Sequence, residues 1–407
     1  MPMLPLFNGA ATSQSVVDNN QVQVGDILST QTLNVVTVTD QTSATTSATG
    51  NNVSAAVVSG SLDVESSQQL TGNVNAVTHV NVADGGNSGE TTVVTAATGN
   101  TSEADSLEAG PLTGNFTQTV DPGFTVKSEN DYNAAAASAT DASVSSQAIA
   151  NSMGFAVSDT SANVTTTQTS GATVDAEGGS EVGGGSGSTQ GFTAGTAAFS
   201  ATAVANNVTA TGTGDSSQTI NATQTSNGPL TQAGNFVNVG DGQTVQGQAT
   251  ATSNNIAVNN SSGPLDVTAS QTNTSFTFGD SVATAFQFGT GEATAFGVGN
   301  QDMAGNFGPS TSFTNVQVNT GGTEANASFT GDTGFDATSS ATAMGNAAIA
   351  FACSQCGGVI SVNNSQTSTN GVEAFSTTNI TTQARSVNGV ATAVGNNATF
   401  YVSQPHP

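Results

Sequence analysis

Apolar and polar residues alternate along this chain with a period of two. Val22-Gln23-Val24, Leu33-Asn34-Val35 and Phe286-Gln287-Phe288 each set two apolar side chains on one face of an extended backbone, with an amide between them on the other. Such alternation predicts half-buried strands. The residues that dominate the pattern, Val, Thr and small side chains, suit a pleated surface better than a helix. Leu, Glu, Lys and Arg are scarce. The best helical candidate is the alanine-dense run from Asn133 to Ala150, and its internal Ser and Thr favour strand there as well. No apolar stretch reaches the roughly 18 to 20 residues of a membrane-spanning helix.

A marker recurs through the strands. A run of Ala and Thr leads to a small residue and then an asparagine, at Asn51, Asn100, Asn151, Asn206, Asn254, Asn300, Asn346 and Asn396. The steps between them are 49, 51, 55, 48, 46, 46 and 50. A second marker is locked to it. Gln68, Gln118, Gln168, Gln224, Gln271 and Gln317 each follow an asparagine at a near-constant offset, 17 for Gln68 (68 − 51) and 18 for Gln118 (118 − 100). Gln366 follows Asn346 by 20 (366 − 346). A fixed period over the whole chain signals a stacked array of one repeating unit.

The fold expected is all-β: an elongated β-solenoid of about eight repeats of roughly 50 residues. Residues 1–25 form an N-terminal leader or cap and 26–407 the repeats. With two or three coils per repeat, 16 to 24 coils at about 4.8 Å each would give a rod of roughly 75 to 115 Å. The alanines before each asparagine would face a thin core. The asparagines would mark corners, where Asn and the Gly before it tolerate positive φ, and most would be ordinary turn residues. Stacked at equivalent positions, they could also hydrogen-bond along the rod. The widest step, from Asn151 to Asn206, coincides with a Gly/Ser-rich stretch at 177–188, which reads as an inserted surface loop. Twelve of the 19 phenylalanines lie in 276–407, among them Phe276, Phe278, Phe286, Phe288 and Phe296. They imply either a better packed core or an aromatic docking face there.

Charge narrows the partners. Lys127 and Arg385 are the only basic side chains against 28 Asp and Glu, a formal net charge of −26. Such a chain cannot neutralise a row of phosphates, so no nucleic-acid partner is expected. An anionic membrane surface would repel it. A cationic partner would be attracted in a salt-dependent way. The Thr, Ser, Asn and Gly richness, with little Lys or Cys, is that of exported surface proteins.

Candidate chemistry is thin. His79 and His406 have no evident partner set for a Ser-His-Asp arrangement, so no enzyme is expected and no catalytic residue is assigned. Cys353 and Cys356 form a C-x-x-C with no second ligand pair for zinc. In an exported chain they read as a local disulfide, pinning an insertion in the repeat whose asparagine-to-glutamine offset lengthens to 20. Neither a calcium-binding nonapeptide run nor an EF-hand loop is present. No metal and no cofactor are expected.

The Gln/Thr-rich opening from Val22 to Thr42, the Ala-Thr-x-x-Gly-Asn units such as Ala341 to Asn346, and the near-absence of basic residues resemble the family of holdfast attachment protein D of stalked alphaproteobacteria. The resemblance covers most of the chain. It implies a cell-surface protein associated with the outer membrane, which anchors the adhesive holdfast polysaccharide at the cell pole alongside other holdfast attachment proteins. Acidic charge would then favour a polysaccharide that is partly cationic. The alternative is a general adhesin or the subunit of a self-assembling extracellular fibre, with a homo-oligomer as the partner.

Overall fold

A computed structural model describes residues 14–108, 110–183, 194–353 and 358–403. Among them the chain is all-β, without a helix, and winds into eight stacked coils. The first coil holds β1 (Gln14–Val24), β2 (Ile27–Thr37) and β3 (Gln41–Val57). The second holds β4 (Ser61–Thr71), β5 (Val74–Asn87) and β6 (Glu90–Leu107). The third holds β7 (Leu112–Val120), β8 (Thr125–Ala134) and β9 (Asp141–Ser158), and the fourth β10 (Ser161–Ser170), β11 (Thr173–Val182) and β12 (Ala194–Thr213). In the next three coils the second and third segments fuse into single long strands. The pairs are β13 (Ser217–Ser226) with β14 (Leu230–Asn260), β15 (Pro264–Asn273) with β16 (Phe276–Asn306), and β17 (Ser310–Asn319) with β18 (Thr323–Cys353). The eighth coil holds β19 (Val359–Ser368), β20 (Val372–Gln383) and β21 (Ser386–Ser403).

Every strand pairs in parallel with its counterpart in the next coil. Partners lie one repeat apart in sequence, from Thr277 with Thr323 (323 − 277 = 46) to Val174 with Thr231 (231 − 174 = 57). One repeat is therefore one coil, which corrects the two or three coils per repeat expected from sequence. Each unit holds three long strand segments rather than many short ones. The stack is then only about 34 Å tall, seven steps of about 4.8 Å. Its coils are wide and its height is well short of the rod expected.

The first segments form an eight-stranded sheet, β1-β4-β7-β10-β13-β15-β17-β19. The third segment faces it along its second half and faces the second segment along its first half. Three apolar clusters fill the space between. Leu62, Phe116, Val164, Ile220 and Phe313 on the first segment meet Met153, Val208 and Ile256 on the third. Tyr132, Val144, Phe199, Phe288 and Phe329 fill the gap between second and third segments. Leu70, Val74, Ala97, Ala148, Ala203 and Ala251 pack the narrow waist between these two, where the third segment bends and contributes mainly alanines.

Residues 14–24 continue the first-segment sheet as its outermost strand, paired with β4 from Gln14–Ser61 to Val24–Thr71. They carry the fold of the array, whereas residues 1–13 lie outside the described residues. The Gly/Ser-rich stretch divides. Gly178 and Gly179 are strand residues of β11, paired with Asn130 and Asp131, and 184–193 lie outside the described residues. The lengthening of this repeat falls between Val182 and Ala197. Their separation in sequence is 15 (197 − 182), where that of their partners Ala134 and Ala142 is 8 (142 − 134). Gly25, at φ 99°, is one of the true corner residues. Of the phenylalanines from 276 onward, Phe288, Phe313 and Phe329 are buried, while Phe276, Phe286, Phe307, Phe335 and Phe375 are exposed. The buried members pack the core as the first reading expects, and the exposed ones lie on the surface.

Candidate functional site

The marker asparagines lie within strands, at the bend of each third segment, and none has positive φ. The corner reading is corrected: the alternation slips by one position here, so two successive residues turn inward. Gly99 and Asn100 are both buried, and the register passes from Thr98–Ile149 directly to Asn100–Asn151. Gly99 serves close approach rather than a left-handed backbone, since a Cβ there would lie 2.5 Å from the carbonyl oxygen of Ala150.

Inside the waist the asparagines form one continuous ladder. Asn51 donates from Nδ2 to Oδ1 of Asn100, Asn100 to Asn151, Asn151 to Asn206, Asn206 to Asn254, Asn254 to Asn300, Asn300 to Asn346 and Asn346 to Asn396, at 2.7–2.9 Å. The second N–H of each reaches across to a first-segment carbonyl, as Asn100 does to Thr119 and Asn300 to Val318. The glutamines form a second ladder of opposite polarity. Gln68 donates to Gln21, and the bonds continue through Gln118, Gln168, Gln224, Gln271 and Gln317 to Gln366, each Nε2 donating to the Oε1 of the preceding coil at 2.7–2.9 Å. The remaining N–H bonds the carbonyl just after a marker asparagine, as Gln118 does to Ser152 and Gln317 to Ala347.

This geometry sets the constant offset between the two markers. The carbonyl that accepts from each asparagine belongs to the residue directly after the next coil's glutamine: Thr119 follows Gln118 and Thr169 follows Gln168. A buried primary amide has two donors and two acceptor lone pairs to satisfy, and three bonds per amide meet most of that demand. The ladders are thus an internal spine that pins the first segment to the third. They present nothing to a ligand. Gln21, the first rung of the glutamine ladder, has no marker asparagine 17 or 18 residues before it to flag it in the sequence.

The longer offset at Gln366 arises beyond Ala352. Ala352 and Val359 are separated by 7 in sequence (359 − 352), where their partners Asn306 and Ser310 are separated by 4 (310 − 306). Cys353 is buried at the end of β18. Cys356, and with it the expected disulfide, lies outside the described residues. His79 sits 3.6 Å from Asp131 on the outer face, and His406 lies outside the described residues. Among the described residues no group of three or more His, Cys, Asp or Glu is placed to hold a metal ion.

The outer face of the second segments is solvent-exposed and carries a groove. Register stacks its outward residues in columns: Asn75, Lys127, Asp175, Gln232, Phe278, Glu324 and Glu373 in one, and Val77, Glu129, Glu177, Gly234, Asp280 and Asn326 in the next. Lys127 is the one cation in these columns. Its Nζ lies 2.8 Å from Glu177, 3.1 Å from Glu129 and 3.8 Å from Asp175. Burial works to lower the pKa of Lys127, but its bonds to Glu177 and Glu129 outweigh this and hold it above the ordinary lysine value. Burial, reinforced by the charge of Glu177, pushes the Asp175 carboxyl up to about 6 despite Lys127.

Beside this cluster the face opens into a groove of about 420 Å³, lined by Asp131, Gly179, Glu181, Phe236, Asn238 and Thr284. The groove exists because Gly179 stands between Asp131 and Phe236 in one column and has no side chain to fill the gap. Phe236 is half exposed. An aromatic face, carboxylates and amides around a space of this size suit a sugar ring, with apolar contact on one side and hydrogen bonds or a cationic substituent on the other. Nothing in the sequence flags this face, because its residues lie a whole repeat apart and carry no common motif.

Comparison with known proteins bears on the whole stack. The family model of holdfast attachment protein D matches residues 36–322, which is 287 (322 − 36 + 1) of the 407 residues. No curated protein and no solved structure matches the chain. The matched span runs from the end of β2 to the last residue before β18, so the repeating coils themselves carry the similarity. This array of parallel coils, with its amide spine and acidic face, belongs to the family of holdfast attachment protein D, whose role is holdfast attachment at the cell surface.

Proposed function

We propose that this chain is a non-enzymatic anchor, which holds the adhesive holdfast polysaccharide to the outer membrane at the cell pole together with other holdfast attachment proteins. The observation that carries this reading is the acidic, amide-lined face repeated from coil to coil on the second segments, with the Phe236 groove set in it. A polymer lying along the stack meets carboxylates and amides on successive coils, and simultaneous engagement converts weak contacts into durable retention. With a formal charge of −26, the chain favours a polysaccharide bearing some free amino groups. Retention of purified holdfast polymer on immobilised protein tests it. The polymer should be held at low salt and released as salt rises, and Phe236→Ala with Asp131→Asn should elute earlier. Retention indifferent to salt would remove the electrostatic part, and no retention at low salt would remove the anchoring role.

A further inference from the structure

Beyond the waist, the outer face of the third segments differs in charge from the face that carries the Phe236 groove. Register stacks its outward residues in three columns, which run from Ser152 to Asn397, from Gly154 to Thr399 and from Ala156 to Tyr401. Among the described residues, these columns hold no Asp, Glu, Lys or Arg from the third coil to the eighth, in a chain of formal charge −26. The acids of the same columns, Glu103 and Asp105, sit in the second coil. A cation therefore finds no partner on this face, and a neutral molecule is at no disadvantage.

Within it lies an aromatic platform. Phe351 and Tyr401 are register partners in adjacent coils, with ring centroids 5.6 Å apart and planes 18° from parallel. Gly305 precedes them in the column, and the tip of the Phe351 ring lies over it: a Cβ on Gly305 would come within 2.5 Å of that ring. Phe351 thus lies along the sheet, and Tyr401 follows it. Phe307 meets Phe351 at 5.5 Å and 68°, a wall beside a floor. Phe307 is 55% exposed and Tyr401 45%. Clustered exposed rings of this kind mark recognition surfaces rather than core. Polar groups border them. Asn259 places its Oδ1 3.0 Å from the same point above Gly305, and Thr399 and Asn397 are exposed on the coil of Tyr401.

A pyranose with equatorial substituents has two flat faces of C–H groups and an edge of hydroxyls. The faces suit aromatic rings, and the hydroxyls suit amides and hydroxyls at the border. The 5.6 Å between Phe351 and Tyr401 is close to the length of one hexose in an extended chain, so two successive sugars can rest on two successive rings.

We infer that the Phe351–Tyr401 platform, walled by Phe307, is a second saccharide site, which takes an uncharged, β-linked hexose chain running along the stack. The inference rests on the reading of the chain as a polysaccharide anchor, and it adds a salt-independent site on a different face from the Phe236 groove.

Titration with cellohexaose, a neutral β-linked hexose oligomer, tests it. The chain has no Trp and two Tyr, of which Tyr132 is buried, so a change in tyrosine fluorescence on binding reports Tyr401. Wild type should bind with that change, at an affinity equal in low and high salt. By calorimetry, Tyr401→Ser and Phe351→Ser should each weaken binding about fivefold to tenfold. Phe286→Ser, at an exposed ring between the second and third segments, should not. Circular dichroism should be the same for all. Absence of binding, binding that leaves tyrosine fluorescence unchanged, equal affinity in wild type and the two platform variants, or affinity that falls with salt would each overturn the inference. Loss of a dimer in Tyr401→Ser, without any sugar binding by wild type, would assign the patch to protein contact and overturn it too. Retention of holdfast polymer by wild type is read separately, so a chain that holds the polymer yet ignores cellohexaose loses this site and keeps its role as an anchor.

Discussion

Asn100 donates its side-chain N–H to Asn151 at 2.8 Å, one whole repeat away in sequence and one coil away in space. Asn151 in turn donates to Asn206 and to the carbonyl of Thr169. In a buried site these bonds matter mostly through the cost of losing them, because an orphaned polar group has given up its hydration and gained nothing in its place.

Asn151→Ala should therefore be among the most damaging single changes in the chain. It strands one N–H of Asn100, the oxygen of Asn206 and the carbonyl of Thr169, a loss on the order of 2–4 kcal/mol. Asn396→Ala removes only one acceptor, at an exposed coil, and should cost under about 1 kcal/mol. Thermal unfolding of the two variants should rank them in that order. Equal shifts would mean the ladder has no interior cooperativity.

Asp302 offers the opposite case. It is 1% exposed, paired in register with Ile256 and Ala348, and neither carboxylate oxygen has a hydrogen-bond partner. Burial raises its pKa well above the usual carboxylate range. The folded state thus holds a proton that the unfolded chain releases near pH 4. Stability falls as pH rises above the unfolded value, and the loss is complete once the folded pKa is passed. Asp302→Val should raise stability at neutral pH by about 1–3 kcal/mol and flatten this part of the pH profile. An unchanged melting temperature at pH 7 would refute the assignment.

On the outer face, the Lys127 cluster makes a second pH-dependent prediction of the same sign. Asp175, pushed up to about 6, is a carboxyl whose folded pKa exceeds its unfolded one. Its contribution weakens stability as pH rises from about 4 through about 6. Asp175→Asn should remove that part of the decline and leave Lys127 clamped by Glu129 and Glu177. Lys127→Met instead leaves three carboxylates without their cation and should destabilise at pH 7 by about 1–2 kcal/mol, less at pH 5. Melting curves at the two pH values check both signs.

How much of this could be read from the chain depends on whether information lay close together in sequence. Period-2 alternation is local, so strands such as Val22–Val24 were legible. The step from Asn51 to Asn100 marked the repeat, and the glutamine offset encoded a real contact between coils, Asn100 to Thr119 beside Gln118. The number of coils per repeat was not legible, because strand length along one coil leaves no mark when the alternation runs on through corners. Nor could the marker's position be read: Asn and a preceding Gly suit a turn and an inward bend equally, and the absence of positive φ together with two successive buried residues decides between them. The groove escaped because it depends on a missing side chain, Gly179, in a column whose members are each a full coil apart along the chain.

The phenylalanine-rich coils yield a last prediction, on packing. Phe329 lies buried with its ring over Gly291, where an added Cβ would come within 2.0 Å of the ring tip. It meets Phe288 edge-on at 5.1 Å, and the ring of Phe288 in turn covers Gly331 and Gly334. Large rings here are matched by residues with no side chain in adjacent coils. Gly291→Ala must push Phe329 out of place, and overpacking of this kind costs about 1–3 kcal/mol. Phe329→Leu alone opens a cavity and should also destabilise. The double variant should lose clearly less than the sum of the two, since the smaller side chain makes room for the new methyl group. Strict additivity in a double-mutant cycle would show that Gly291 and Phe329 are not a packed pair.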